Sequence, residues 1–155
     1  MLNFPVDVYE EIRKHGEETY PHECCGALLG KLINDDWHIV KAIRAGNTRT
    51  DSAHNRYQIS PLELMKMERE ARSLALDIAG FYHSHPDHPA QWSKTDFEEA
   101  HWLNCTYVIT AVANGHAVIT NAFRLQGSNE EDKQFVQEEI HISGSIESTT
   151  QKEIQ

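Results

Sequence analysis

The chain lacks any apolar run approaching the length of a membrane span. Its N-terminus, MLNFPVDVYEE, lacks the basic stretch followed by an apolar one that marks a secretory signal, so a cytoplasmic location is expected. Basic residues are scarce. Lys and Arg number 14 against 24 Asp and Glu, a formal net charge of −10. That balance excludes a broad nucleic-acid surface, which needs a basic footprint. The three cysteines, Cys24, Cys25 and Cys105, form no C-x-x-C pair, and they read as small core residues of a reducing compartment. No internal repeat and no long linker is present. A chain of 155 residues suits one domain with a single core.

Histidine, by contrast, is abundant, with ten residues. The elements around them alternate. Val8 and Ile12 on one helical face, with charged residues on the other, predict a helix over Val6–Thr19, stopped by Pro21. Cys24–Leu29 reads as a buried strand opened by Glu23, and Asn34-Asp35-Asp36 as a turn. Trp37–Arg44 alternates with one slip, which predicts a hairpin partner with a bulge. Gly46–Arg56 is a polar loop, and Tyr57–Ile59 a short strand candidate. Ser60-Pro61-x-Glu63 opens a helix that runs to about Leu76. A strand over Asp77–His85 follows, then a helix over Lys94–Asn104. Thr106–Val112 and His116–Leu125 flank Asn114-Gly115, a strong hairpin signal. Phe135–Ile142 is one more strand candidate. Residues 143–155 form a polar tail expected to be disordered. Interspersed helices and hairpins predict an α+β domain over 1–142, a mixed sheet with about three helices packed on it.

The stretch from Gly80 to Asp96, GFYHSHPDHPAQWSKTD, concentrates the chemistry. Residues i and i+2 on a strand face the same way, roughly 6.6 Å apart. His83 and His85 can therefore converge on one metal ion, with Asp96 at a helix start as third ligand. Three ligands leave a coordination position open, as in catalytic zinc sites. With ten histidines, about 0.6 H-x-H pairs are expected by chance, so the pair alone is uninformative. Its offsets to Pro86, Ser93 and Asp96 carry the weight. Ser93-x-x-Asp96 is also a helix-capping pattern. Ser84 reads as groove lining or structural support. His22, Asp87 and His88 lie beside the site by sequence only, and His54 sits in the polar loop.

His83-Ser84-His85-Pro86, six residues, Ser93, two residues and Asp96 resembles the signature of the JAMM (MPN-plus) zinc metallopeptidases. Glu23-Cys24-Cys25-Gly26 matches the upstream glutamate motif of that family. The resemblance spans about residues 1–142 and implies a deaminase-like MPN fold with a curved mixed sheet. It implies one Zn2+ per chain on His83, His85 and Asp96, with Glu23 as general base and Ser93 as hydrogen-bond donor to the developing oxyanion. The compact form is similar to the prokaryotic single-domain branch, which processes ubiquitin-like sulfur-carrier proteins. The implied reaction is hydrolysis of the peptide or isopeptide bond after the carrier's C-terminal Gly-Gly. Three alternatives stand beside it. One is a general isopeptidase acting on ubiquitin-like conjugates. Another is a metallo-β-lactamase-like hydrolase that reads His83–His88 as H-x-H-x-D-H. The third is a non-catalytic MPN scaffold.

Overall fold

The computed structural model describes residues 1–47 and 58–144. The strand β1 (Leu2–Pro5) leads directly into the helix α1 (Val6–Thr19). Leu2 and Phe4 are fully buried while Asn3 and Pro5 are half-buried. Four residues are too few for alternation to register as a strand, so β1 was invisible in the pattern. The hairpin β2 (Cys25–Ile33) and β3 (Asp36–Ala45) follows. The bulge falls where the alternation slips: Leu29 pairs with Lys41 and Gly30 with Ile39, leaving Val40 as the extra residue.

The helix α2 (Pro61–Ser73) starts as its capping pattern predicts, with the Ser60 side chain accepting from the Glu63 N–H. It stops three residues short of Leu76. Ala75 takes φ 56°, the Leu76 N–H returns to Ala71 O at 2.8 Å, and the Ala75 N–H to Arg72 O at 3.1 Å. This is a Schellman ending with alanine in the place usually held by glycine, so no residue type announced it. Gln58 and Ile59 are not in a strand, contrary to expectation, and instead precede this cap. Tyr57 and most of the polar loop, His54 included, lie outside the described residues.

The strand β4 (Asp77–Pro86) is buried along nearly its whole length. The helix α3 (Lys94–Glu98) has five residues and not the eleven-residue reach to Asn104 that its pattern suggested. The chain beyond it turns back, with Asn104 at φ 69° and its N–H on Leu125 O at 2.7 Å. The hairpin β5 (Thr106–Ala113) and β6 (His116–Gln126) forms around Asn114-Gly115 as predicted. The expected last strand divides into β7 (Gln134–Glu138) and β8 (Ile140–Ser143). The predicted tail therefore begins inside β8, and its residues 145–155 lie outside the described part of the chain.

The sheet is mixed and its order is β7-β6-β5-β4-β2-β3-β1-β8. The two edge strands are consecutive in the chain, separated only by Glu139, so the sheet must curl until its ends nearly meet. The fold is thus α+β, with a strongly curled sheet and three helices. On one face, α1 packs Val8 and Ile12 against Leu28, Tyr82 and Val108. On the other, α2 packs Met67 and Ala71 against Leu29, Phe81 and Tyr107. The parallel pair β4–β5 lies at the centre, and its closeness demands glycine. A Cβ at Gly80 would stand 1.8 Å from Thr106 O. All three cysteines are buried and free, and burial pushes the Cys24 thiol up to about 11. No helix among the described residues is long and apolar enough to cross a membrane.

One buried titratable group in this core gives a pH signature. His15 of α1 is 8 % exposed, with Nδ1 2.8 Å from the Tyr82 hydroxyl. Burial, and then the charge of Arg44, push its pKa down to about 4. A histidine whose folded pKa is depressed contributes stability above its unfolded pKa and loses it as the pH falls towards the folded one. Measured by urea unfolding, the stability of the wild type relative to His15→Gln should therefore fall on the order of 2–3 kcal/mol between about pH 6.5 and pH 4. Parallel pH profiles for the two proteins would show that His15 is not buried in its neutral form.

Candidate metal centre

The end of β4 is held between β2 and β5, with His83 opposite Cys25 and Ile109, and His85 opposite Ala111. Strand alternation sends His83 and His85 to the face away from α1 and Ser84 towards it. Ser84 is fully buried, and Gly16 of α1 is the neighbour that makes room. A Cβ at Gly16 would lie 3.3 Å from Ser84 Cβ. The Ser84 hydroxyl accepts the Cys24 N–H at 2.9 Å, and its own N–H donates to Cys24 O at 3.2 Å. That two-way clasp fixes the backbone beside Glu23, whose side chain is 2 % exposed. Ser84 is therefore structural support and does not line the cleft.

Asp96 comes from the first turn of α3. Its carboxylate Oδ2 accepts the Ser93 N–H at 2.9 Å, while the Ser93 hydroxyl accepts the Asp96 N–H at 3.0 Å. This reciprocal capping box sets both side chains. The Ser93 oxygen takes the helical N–H, which leaves its own O–H free to donate elsewhere.

The three expected ligand residues meet. His83 Nε2 and His85 Nε2 are 3.1 Å apart. Asp96 Oδ2 lies 3.1 Å from His85 Nε2, and Oδ1 lies 3.3 Å from His83 Nε2. Glu23 joins them, since one ligand atom each from Glu23, His83 and His85 lie within 4.8 Å of one another. Ligands about 2.0–2.1 Å from a tetrahedral zinc stand about 3.3 Å from each other, so the two imidazoles and Asp96 have the spacing such an ion requires. The tautomer fits as well. His85 Nδ1 is 2.9 Å from Pro89 O, a carbonyl that can only accept. A proton therefore sits on Nδ1, which leaves Nε2 as the nitrogen placed to ligate a metal ion.

The electrostatics agree with a site for a cation. Burial alone would raise the Asp96 carboxyl, but the charge and hydrogen bond of His83, with the hydrogen bonds of His85 and the Ser93 N–H, outweigh it and hold Asp96 well below the usual carboxylate range. Burial pushes His83 down, against the pull of Asp96. Burial acts to lower His85 too, but the Asp96 and Pro89 hydrogen bonds prevail and raise it. Burial pushes the Glu23 carboxyl up to about 8.

The cluster opens into a cleft of about 390 Å³ lined by Glu23, His85, His88, Pro89, Trp92 and Ser93, among others. Trp92, 42 % exposed, stacks near Phe97 and Phe135 at 5.5 Å. Nothing in the spacing singled it out, because an isolated tryptophan between polar residues carries no periodic signal. His88 lines the cleft, whereas Asp87 turns away: its carboxylate accepts the Tyr20 hydroxyl and the Asn114 N–H. An H-x-H-x-D-H metal set is therefore not assembled here. His22 is exposed and not among the cleft residues.

Asp96→Asn keeps an oxygen for the cap but removes the charge. It should fold, and it should bind zinc more than about 100-fold more weakly than the wild type when zinc is titrated into chelator-stripped protein. Wild-type affinity in that variant would remove Asp96 from the ligand set.

The chain is similar to known proteins over most of its length. Residues 5–126 match the family described as prokaryotic homologs of the JAB domain. The chain is 30% identical over 112 residues to a desampylase of Haloferax volcanii, covering 70% of this chain and 78% of that protein. A solution structure from Salinibacter ruber has 36% sequence identity and a TM-score of 0.69, covering 92% of each chain. A solution structure from Desulfitobacterium hafniense shares the fold at a TM-score of 0.78, with 24% identity over 92% of this chain and 93% of that one. The chain belongs to the JAB/MPN family, in its prokaryotic branch.

Proposed function

We propose that this protein is a zinc-dependent hydrolase of the JAMM type, cleaving the peptide or isopeptide bond that follows the C-terminal Gly-Gly of a ubiquitin-like protein. The observation that carries the reading is the convergence of His83, His85 and Asp96 at 3.1–3.3 Å with the buried Glu23 beside them. The likeness to a protein named desampylase supports a ubiquitin-like partner. Within that class we favour a sulfur-carrier protein in the cytoplasm. The support is compactness: α3 ends at Glu98 and β5 begins at Thr106, which leaves no room for a large insertion between those two elements. A general isopeptidase acting on ubiquitin-like conjugates is the second reading, and the desampylase likeness favours it directly.

His83, His85 and Asp96 would hold the ion. A zinc ion there supplies Lewis acidity, polarising a carbonyl and bringing the pKa of water towards about 7. Glu23 acts as the base. Its carboxylate takes a proton from the attacking water and returns it to the leaving amine. Burial raises the affinity of Glu23 for that proton, which suits a group that must hold it between the two transfers. Ser93 faces the cleft with its hydroxyl proton uncommitted to the cap, and donates it to the oxygen of the scissile carbonyl as charge develops there. No covalent intermediate with the chain is required. Trp92, Pro89 and His88 line the approach to the reacting bond.

Glu23→Gln should lower kcat/KM by about 10²–10⁴-fold on a ubiquitin-like protein extended beyond its Gly-Gly, while still binding one zinc per chain. Both quantities are read on the same preparation, by cleavage assay and by metal analysis. Wild-type turnover in that variant would remove Glu23 from the mechanism. Zinc-loaded wild-type protein that cleaves no such extended substrate would remove the substrate class.

A further inference from the structure

A five-residue helix is far too short to hold itself together in water. Yet α3 carries Asp96, and its cap carries Ser93. Its N-terminal end is closed by the capping box. Its C-terminal end is closed by a residue from another part of the chain, Lys133, which precedes β7.

The Lys133 side chain is 5 % exposed. Its ammonium group lies 3.0 Å from Phe97 O, 2.8 Å from Ala100 O and 2.8 Å from Glu130 Oε2, with Glu98 O further off at 3.5 Å. An ammonium has three N–H donors, and the three short contacts use them all. The same group stands 5.0 Å from the centre of the Phe97 ring. Glu130 also sits 2.7 Å from His101 Nδ1, so one carboxylate ties the segment after α3 to the lysine. A cation at the last carbonyls of a helix is placed where the backbone dipoles favour it.

The turn that carries Lys133 is braced independently. Asp132 Oδ1 accepts the N–H groups of Ser128 and Asn129, both at 2.8 Å. Asn129 Oδ1 accepts those of Glu131 at 2.8 Å and Asp132 at 3.1 Å. Two residues after Lys133, Phe135 packs edge-on against Phe97 at 5.6 Å. The lysine is thus a fixed point, and α3 is the element fixed to it.

We propose that Lys133 is the positioning residue of the metal centre: by holding the C-terminal carbonyls of α3 it sets where Asp96 stands relative to His83 and His85. The inference rests on the zinc reading and adds to it a residue that touches neither metal nor substrate. Outer groups that orient a ligand typically account for about 10–100-fold in metal affinity. Lys133→Met keeps the aliphatic stem over Phe97 and removes the three donors. Lys133→Arg keeps a cation and several donors.

The test is competition between chelator-stripped full-length protein and a chromophoric chelator for zinc, alongside thermal unfolding of the metal-free forms. Wild type should bind one zinc per chain, Lys133→Met about 10–100-fold more weakly, and Lys133→Arg in between. In an Asp96→Asn background the lysine change should leave the residual affinity unaltered, because the ligand it positions is gone. Glu130→Ala, a milder loosening of the same clasp, should lower affinity several-fold, and it serves if Lys133→Met does not fold. Wild-type zinc affinity in a folded Lys133→Met, or in Glu130→Ala if that alone folds, overturns the proposal. An equal loss in the Asp96→Asn background overturns it too, since the lysine would then act on the fold at large. Wild type that binds no zinc overturns the zinc reading, and the positioning role with it.

Discussion

Two imidazole nitrogens and the two oxygens of one carboxylate meet at 3.1–3.3 Å, a crowding of ligand atoms that a shared positive charge stabilises. His85 donates its Nδ1–H to the Pro89 carbonyl on the other side, so its Nε2 is the nitrogen that faces the cluster. Much of the rest of the structure serves to hold these atoms in that crowded arrangement. The central parallel pair β4–β5 and the flanking β2 supply a rigid strand end for the histidines. The capping box delivers the carboxylate from a different element.

The base is delivered by a third element, and the means is economical. Ser84 faces away from its histidine neighbours, yet its hydrogen bonds to Cys24 decide where Glu23 lies. An alternating strand thus presents ligands on one side and anchors the base from the other. Burial then raises the proton affinity of Glu23, and the mutual attraction of Asp96 and the histidines keeps Asp96 ionised. The two carboxyl groups of one site are driven in opposite directions by their surroundings, which is how an acid–base group and a ligand can be told apart.

Much of this was legible in the residues, for physical reasons. His83 and His85 share a face because strands have a period of two, and Ser93 and Asp96 are tied because capping needs that spacing. The bulge at Val40 was visible as a slip in alternation. What stayed hidden was either too local to form a pattern or dependent on contacts distant in sequence. β1 is too short to show a pattern. The early end of α2 rests on an alanine in a left-handed conformation. The early end of α3 coincides with carbonyls taken by Lys133, far along the chain. The division of β7 from β8 follows from the curling of the whole sheet, which no local window contains. Trp92 entered the cleft unannounced because a lone tryptophan among polar residues forms no period.

The central claim is that His83, His85 and Asp96 together hold one zinc ion. X-ray absorption at the zinc edge of the purified protein addresses it directly. The expected first shell contains only nitrogen and oxygen at about 2.0–2.1 Å, with the outer-shell signature of two imidazoles. A sulfur shell at about 2.3 Å, or the outer-shell signature of fewer than two imidazoles, would contradict it.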